Sequence, residues 1–305
     1  MQEELEGLVS QMVPRTEVLG TSKLKGGISS FVCRVTIKQE EQRKQIIIRV
    51  IDNLEWLEEE PDIITHEKAA LKQAENITVA TPSYIASDDT GRFYRYPTLL
   101  MTEVPGKVIL VPENKNRWTD GLAKALHAIH HTSISNFNWA YYPYQSIMEM
   151  ETPSWSNMPN IWENLFDYMR RRPSPPFKPT FIHRDFHPNN VLWENGQVSG
   201  VVDWVNACMG PAGIDIGHCR WNLAMLYGQE AAEDFLRSYK QYAGKNWRYD
   251  VYWDLRSLLD VLEDPLTVYA GWKELGVDWL TPKLMGERMD DYAKHLIKKI
   301  PDSSR

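Results

Sequence analysis

The hydrophobic pattern divides the chain into an early part with the period of strands and a later part with the period of helices. VLGTSKLKGGISSFVCRVTI (18–37) reads as strand, Gly/Ser turn, strand, and QIIIRVI (45–51) is a β-branched run short enough to be a buried strand. YPTLLMTEVPG (96–106) is an apolar strand stopped by Pro105 and Gly106. Between them ITHEKAALKQA (64–74) consists of helix formers, with Thr65 placed to cap it. The pattern predicts a small, mainly antiparallel lobe with one helix, ending near residue 104.

Beyond that point apolar residues recur every three to four positions. In DGLAKALHAIH (120–130) Leu122, Leu126 and Ile129 form a stripe behind Thr119 or Asp120 as cap. NIWENLFDYMRR (160–171) is similar, with Asn160 as cap, Glu163 three residues later, and Ile161, Leu165 and Tyr168 on one face. Further helices are expected around 229–242 and 250–263. The stretch NFNWAYYPYQSIMEMETPSWSNMP (136–159) is too long and irregular for a plain connection, and such segments often carry function. The expected fold class is therefore α+β, with an N-lobe over 1–104 and a mainly helical C-lobe over 105–305. No repeat or flexible Gly/Ser linker separates the two.

Composition narrows the partners. With 305 residues, 43% of them hydrophobic, the chain can bury a substantial core as a monomer or weak dimer. A formal net charge of −7 leaves no basic footprint for nucleic acid or an anionic membrane. Cys33, Cys208 and Cys219 lack metal or disulfide spacing and are expected to be reduced core residues. The acidic start, MQEELEGLVS, is unlike a signal peptide, and no apolar run is long enough to span a bilayer, so a cytoplasmic location is expected.

FIHRDFHPNNVLWENGQVSGVVDW (181–204) concentrates the chemistry. It parses as a strand at 180–182, a polar loop, a strand at 191–193, an Asn195-Gly196 hairpin turn and a strand at 198–203. His183-x-Asp185-x-x-x-x-Asn190, followed thirteen residues later by Asp203, matches the protein-kinase order of catalytic loop and metal-binding aspartate. Phosphoryl transfer from ATP needs a carboxylate to orient the acceptor hydroxyl and take its proton, which suits Asp185. It also needs Mg²⁺ held by hard oxygens, which suits Asn190 and Asp203. His183 is expected to brace the loop backbone. The bland alternative is that Asp and Asn populate turns for their own hydrogen bonds. A metal site at His183 and His187 lacks a third ligand in sequence, and His127, His130 and His131 read as helix-end or core histidines.

Upstream, Lys25-Gly26-Gly27-Ile28-Ser29-Ser30 lies between two strands, and Gly26, Gly27, Ser29 and Ser30 suit a turn whose N–H and hydroxyl groups meet phosphates. No P-loop or Rossmann fingerprint occurs. The strand IIIRV carries Arg49 where protein kinases place lysine; Glu67 on the next helix is the expected partner, with Glu58, Glu59 and Glu60 as competitors in a loop-like stretch.

With GGISS, IIIRV, HEKAAL, LLMTEVPG, HAIHH, HRDFHPNN…VVDW and GPAGIDIGHCRWNLA, the chain resembles the aminoglycoside phosphotransferase (APH) family of kinase-like small-molecule phosphotransferases, over roughly residues 16 to 227. The resemblance implies a bilobal protein-kinase-like fold with its hinge at about 100–106, which binds ATP, with GTP as the alternative donor, and Mg²⁺. It implies adenine bonded to backbone along Thr102, Glu103 and Val104, Arg49 as phosphate cation, Asp185 as base, and Asn190 and Asp203 as metal ligands. Asp215, in GIDIGH, matches a family position and is expected to support the structure by capping a helix or bracing the loop.

The acceptor is expected to be a small-molecule hydroxyl, on an aminoglycoside, a macrolide or a similar amino-sugar or amino-alcohol compound. Asp203 is followed by Trp204, and the A-P-E segment that supports a peptide in protein kinases is missing. A protein acceptor and a catalytically silent nucleotide-binding module are the alternatives. Aromatic residues such as Trp139, Tyr141, Tyr142, Tyr144, Trp155 and Trp162 suggest a wall for a bulky acceptor. Asp260, Glu263 and Asp264 are candidates to face an ammonium group, or else a solvated helix face.

Overall fold

A computed structural model describes residues 2–24, 30–133 and 136–301, with the side chains of Gln2 and Glu3 left aside. The chain forms two compact units: Met1–Pro105 with Val201–Asn206, and Gly106–Gly200 with Ala207–Arg305.

The first unit opens with α1 (Gln2–Met12), then β1 (Thr16–Lys23), β2 (Phe31–Gln39) and β3 (Gln42–Val50). After α2 (Leu54–Glu59) and α3 (Ile63–Ala74), β4 (Tyr84–Asp88) and β5 (Thr98–Thr102) complete an antiparallel sheet in the order β1-β2-β3-β5-β4. Strand alternation decides what each face does. Cys33, Val35 and Ile37 of β2, Ile46, Ile48 and Val50 of β3, and Leu100 of β5 are buried against Leu5, Leu8 and Val9 of α1. Arg49, between Ile48 and Val50, therefore points to the other face.

α1, α2 and β4 go beyond the sequence pattern. The stretch around Glu58 and Glu59 is helix α2, capped by Asn53, whose side chain accepts from the Trp56 N–H at 3.2 Å. It buries no residue, so it leaves no hydrophobic stripe to read. α3 begins at Ile63 behind Asp62, and Thr65 is not its cap but sits in the first turn, its hydroxyl 3.3 Å from the Asp89 carboxylate.

The second unit runs through β6 (Lys107–Val108), α4 (Lys115–His130), α5 (Pro159–Arg171), β7 (Thr180–Ile182), β8 (Val191–Glu194), β9 (Gln197–Val201) and β10 (Cys208–Gly210). Five helices follow: α6 (Ala212–Tyr227), α7 (Gln229–Ala243), α8 (Tyr252–Asp260), α9 (Ala270–Glu274) and α10 (Pro282–Lys299). Asn114, rather than Thr119 or Asp120, caps α4, accepting from the Arg117 N–H at 2.9 Å. Pro159 fills the first turn of α5 behind Met158, so Asn160 is inside the helix and not its cap. Asn195 and Gly196 both take positive φ (50° and 70°), the turn that joins β8 to β9 without splaying them. β7 pairs with β10, while β6, β8 and β9 form a second small sheet.

α6 is the centre of this unit and is buried on nearly all sides. A Cβ on Gly213 would lie 2.3 Å from the Trp253 ring, and one on Gly217 would lie 2.5 Å from the Trp253 carbonyl oxygen. The two glycines, one turn apart, let α8 come this close. Further along, fully buried Arg220 ion-pairs with Asp254 and Glu233 and donates from Nε to the Ala232 carbonyl at 3.2 Å. The Tyr249 hydroxyl also donates to Asp254, at 2.8 Å. A buried charge is tolerable only with partners of this kind. Cys33, Cys208 and Cys219 are buried free thiols. Among the described residues no helix is long and apolar enough to cross a membrane.

Candidate active site

The loop between β7 and β8 is held from below by one carboxylate. Asp215, completely buried in the first turn of α6, accepts the backbone N–H of His183 (2.8 Å, Oδ2) and of Arg184 (2.6 Å, Oδ1). These bonds set the unusual Arg184 backbone, whose φ of 66° is uncommon for a side-chain-bearing residue. His130 at the end of α4 approaches the same carboxylate with Nε2 at 3.0 Å, and its Nδ1 lies 2.8 Å from the Tyr239 hydroxyl. The His183 ring is buried against Phe186.

Arg184 carries the loop's attachment to the aromatic stretch. Its guanidinium carbon lies 3.8 Å from the Tyr144 ring centre, 4.3 Å from that of Tyr142 and 5.5 Å from that of Tyr141. Nη2 also donates to the Tyr142 carbonyl at 2.6 Å. Such contacts each contribute about 0.5–2 kcal/mol when desolvated.

Asp185 follows, with about a third of its side chain exposed (31%). Oδ2 accepts from Asn190 Nδ2 at 3.1 Å, and the same amide nitrogen donates to the Asp185 carbonyl at 2.9 Å. Oδ1 faces two imidazoles, His218 Nε2 at 3.1 Å and His187 Nε2 at 3.6 Å. Burial acts to raise the carboxyl, but the two histidines outweigh it and hold the group well below the usual carboxylate range. Asp185 is therefore ionised at neutral pH. Nδ2 is occupied by these two bonds, and the amide oxygen of Asn190 is a hard donor of the kind Mg²⁺ takes.

In the first unit, Asp203 has φ 69° and accepts from Arg49 Nη2 at 2.7 Å through Oδ1, so Oδ2 remains as a second hard oxygen. Arg49 also faces Glu67, with Nε 3.4 Å from Oε2. This arrangement places Glu67 of α3 beside Arg49, while Glu58 and Glu59 belong to α2. Because Asp203 shares the guanidinium, Glu67 is only partly compensated. Burial pushes its carboxyl up to about 7, Arg49 opposes the rise and Asp203 adds to it.

This shift has a consequence for stability. A carboxyl with a higher pKa folded than unfolded binds more protons in the folded state, so its contribution favours the fold at acid pH and is lost as pH rises from about 4.5 to about 7. Glu67→Gln, uncharged at every pH, is expected to flatten the fall in Tm across that window in the nucleotide-free protein. Parallel melting curves of the two proteins check this, and identical slopes would contradict it.

Gly26, Gly27 and Ser29 lie outside the described residues, while Ser30 is buried at the start of β2. Thr102 ends β5, with Oγ1 accepting the Ser83 N–H at 2.8 Å. The Glu103 carboxylate accepts from Arg34 Nε at 2.6 Å, and Val104 is buried. The side chains of all three are committed locally.

Of the three acids suggested to face an ammonium group, Asp260 and Asp264 instead accept hydrogen bonds from the aromatic stretch, and Glu263 is exposed. Buried Asp260 pairs with Arg256 (2.6 Å) and accepts the Tyr144 N–H (3.0 Å) and the Tyr141 hydroxyl (3.1 Å). Asp264 accepts the Ser154 N–H at 2.5 Å and its hydroxyl at 2.6 Å, and the Glu263 carbonyl accepts the Trp155 indole at 2.9 Å. Asp290 on α10 accepts from Ser156, Asn157 and Trp162 at 2.6–2.8 Å. The aromatic stretch is thus pinned by three carboxylates. Trp162 is core, and only Tyr142 and Tyr144 keep half-exposed rings beside the loop.

An N-terminal antiparallel sheet, a helical C-terminal part and this loop define an α+β kinase-like phosphotransferase. Residues 22–251 match the phosphotransferase enzyme family (APH), and the chain belongs to it. It is a small-molecule kinase dependent on ATP. Among solved structures, a Ralstonia eutropha protein described as an aminoglycoside phosphotransferase is 16% identical, with TM-score 0.61 over 96% of this chain and 98% of that one. Macrolide 2'-phosphotransferase MphH from Brachybacterium faecium is 13% identical (TM-score 0.57, 99% and 95% covered). Choline kinase LicA from Streptococcus pneumoniae is 15% identical (TM-score 0.58, 97% and 98% covered). At these identities the likeness is one of fold. No curated protein matches the sequence.

Sequence reasoning missed His130 and His218 as neighbours of the loop. They arrive from α4 and α6, and the only local signal was the i, i+3 spacing of Asp215 and His218, which puts both on one side of α6.

Proposed function

We propose that the chain transfers the γ-phosphoryl group of ATP to a hydroxyl of an amine-bearing small molecule: an aminoglycoside, a macrolide, or a similar amino-sugar or amino-alcohol. The observation that carries this reading is Asp185. It is an ionised, solvent-reachable carboxylate on a loop held by Asp215, with Asn190 fixing its second oxygen. Asp185 orients the acceptor hydroxyl and takes its proton. Mg²⁺, held by Asn190 and Asp203, would neutralise charge on the phosphates. Arg49 adds a fixed guanidinium positioned by Glu67. The committed side chains of Thr102, Glu103 and Val104 leave backbone groups to meet the purine, and Gly26, Gly27, Ser29 and Ser30 are the residues assigned to the phosphates. His183 and Asp215 support the loop.

Tyr142 and Tyr144 support the choice of acceptor. Their half-exposed rings lie next to the catalytic loop and suit both an apolar surface and an ammonium group. The named activities of relatives sharing this fold, on macrolides and on choline, fall within the same class.

A coupled ADP-release screen with Mg²⁺-ATP and Mg²⁺-GTP against aminoglycosides, macrolides, amino alcohols, neutral sugars and a mixed peptide set tests the reading. Turnover with an amine-bearing alcohol is expected. A response to peptides alone would move the chain to protein phosphorylation. Inert acceptors together with tight ATP binding would make it a nucleotide-binding module.

A further inference from the structure

Asp185, His187 and His218 place three ligand atoms within 4.8 Å of one another. We propose that these three side chains form a binding site for a zinc-class divalent transition metal, and that the bound ion closes Asp185 to the acceptor.

The two distances from the carboxylate suit such an ion. Two donors about 2.0–2.1 Å from a tetrahedral zinc stand about 3.3 Å apart. Asp185 Oδ1 lies 3.1 Å from His218 Nε2 and 3.6 Å from His187 Nε2, values on either side of that separation. Both rings are three-quarters or more buried yet open toward the carboxylate, with side-chain exposures of 12% for His218 and 17% for His187. Among the described residues His187 Nδ1 is buried without a hydrogen-bond partner, and Nε2 is the ring nitrogen that faces the carboxylate.

The scaffold is rigid on both sides. His218 lies one turn after Asp215 on α6, the residue that grips the loop backbone at His183 and Arg184. His187 precedes the 3₁₀ turn Pro188–Asn190, so the ligands come from a helix and a short constrained loop. Two imidazoles and one carboxylate select zinc, cobalt, nickel or copper. Mg²⁺ prefers oxygen, so this site differs in chemistry from the oxygens of Asn190 and Asp203. Three protein ligands leave a coordination position for water.

The consequence for turnover rests on Asp185 being the base. With Oδ1 bound to the ion, Asp185 is no longer available to take the acceptor's proton. A micromolar transition metal would therefore act against Mg²⁺-ATP turnover without competing for the Mg²⁺ ligands.

The test uses the full chain. Co²⁺ is titrated at neutral pH with excess Mg²⁺, the visible ligand-field absorption is followed, and Zn²⁺ is added in competition. The expected result is one tightly bound equivalent that Zn²⁺ displaces. His187→Ala and His218→Gln should each lose it, while Asp203→Asn retains it. Unchanged far-UV circular dichroism shows that the variants are folded, and His187, on the loop, supplies a variant that leaves α6 intact. No equivalent in the unmodified protein, or one that survives both histidine substitutions, would overturn the site and leave an ordinary carboxylate hydrogen-bonded by two imidazoles. Turnover of the acceptor found in the screen is then measured with Zn²⁺ and with a zinc-selective chelator that spares Mg²⁺. Reversible inhibition is expected. Binding without inhibition would keep the site but overturn the closure of Asp185, and with it the role of Asp185 as base.

Discussion

Asp185→Asn is expected to lower kcat by about 10²–10⁴-fold, the range a positioned general base contributes. The substitution keeps the shape of the side chain. An amide oxygen can still accept from Asn190 Nδ2, now 3.1 Å from Oδ2, so the loop should hold its form. What disappears is the negative charge that His187 and His218 sustain, and with it the capacity to take a proton. Nucleotide affinity should change little, since the charged groups assigned to phosphate and metal, Arg49 and Asp203, are bonded to each other and Asn190 keeps its bond to the Asp185 carbonyl. Thermal shift with Mg²⁺-ATP measures that affinity, and steady-state ADP release measures kcat. A variant with full turnover would remove Asp185 from the mechanism.

Asp215→Ala should have the largest effect on stability. It leaves the buried N–H groups of His183 and Arg184 without an acceptor, at about 1–3 kcal/mol each, and takes a partner from His130. The expected loss is about 2–6 kcal/mol, read from denaturant unfolding. Activity should fall as well, even at a temperature where the variant is folded, because nothing then holds Arg184 at its positive φ. Asp215→Asn keeps one oxygen acceptor and should be intermediate. A loss under about 1 kcal/mol for the alanine variant would mean that water replaces the carboxylate without cost.

Much of this arrangement was legible in the sequence where it is local. The β-branched run around Arg49, the Asn195–Gly196 turn and the stripes of α4 and α5 each follow from short-range chemistry, and the structure forms them. The spacing of Asp185, Asn190 and Asp203 was also local enough to read. Helix starts were read late or wrongly, because the first turn of α4, Lys115 to Trp118, is polar and shows no stripe until Trp118. α2 was illegible because it is about one and a half turns long and none of its residues is fully buried. The acids of α8 and the loop after it were misjudged for a different reason. Asp260 and Asp264 meet backbone N–H groups more than a hundred residues away, and such partners leave no mark in a sequence. His218 was hidden in the same way, brought to Asp185 because Asp215, one turn earlier on α6, grips the loop.

The three carboxylates that hold the aromatic stretch make it an exchangeable cassette. Asp260, Asp264 and Asp290 reach in from the C-terminal helices and the loop after α8, and they grip mostly backbone N–H groups and small hydroxyls. It meets the catalytic loop through the tyrosines around Arg184 and the Tyr142 carbonyl. The residues between these fixed points are free to diverge. A lineage could therefore retune which alcohol it accepts by rewriting this stretch, while the loop that carries Asp185 is inherited intact.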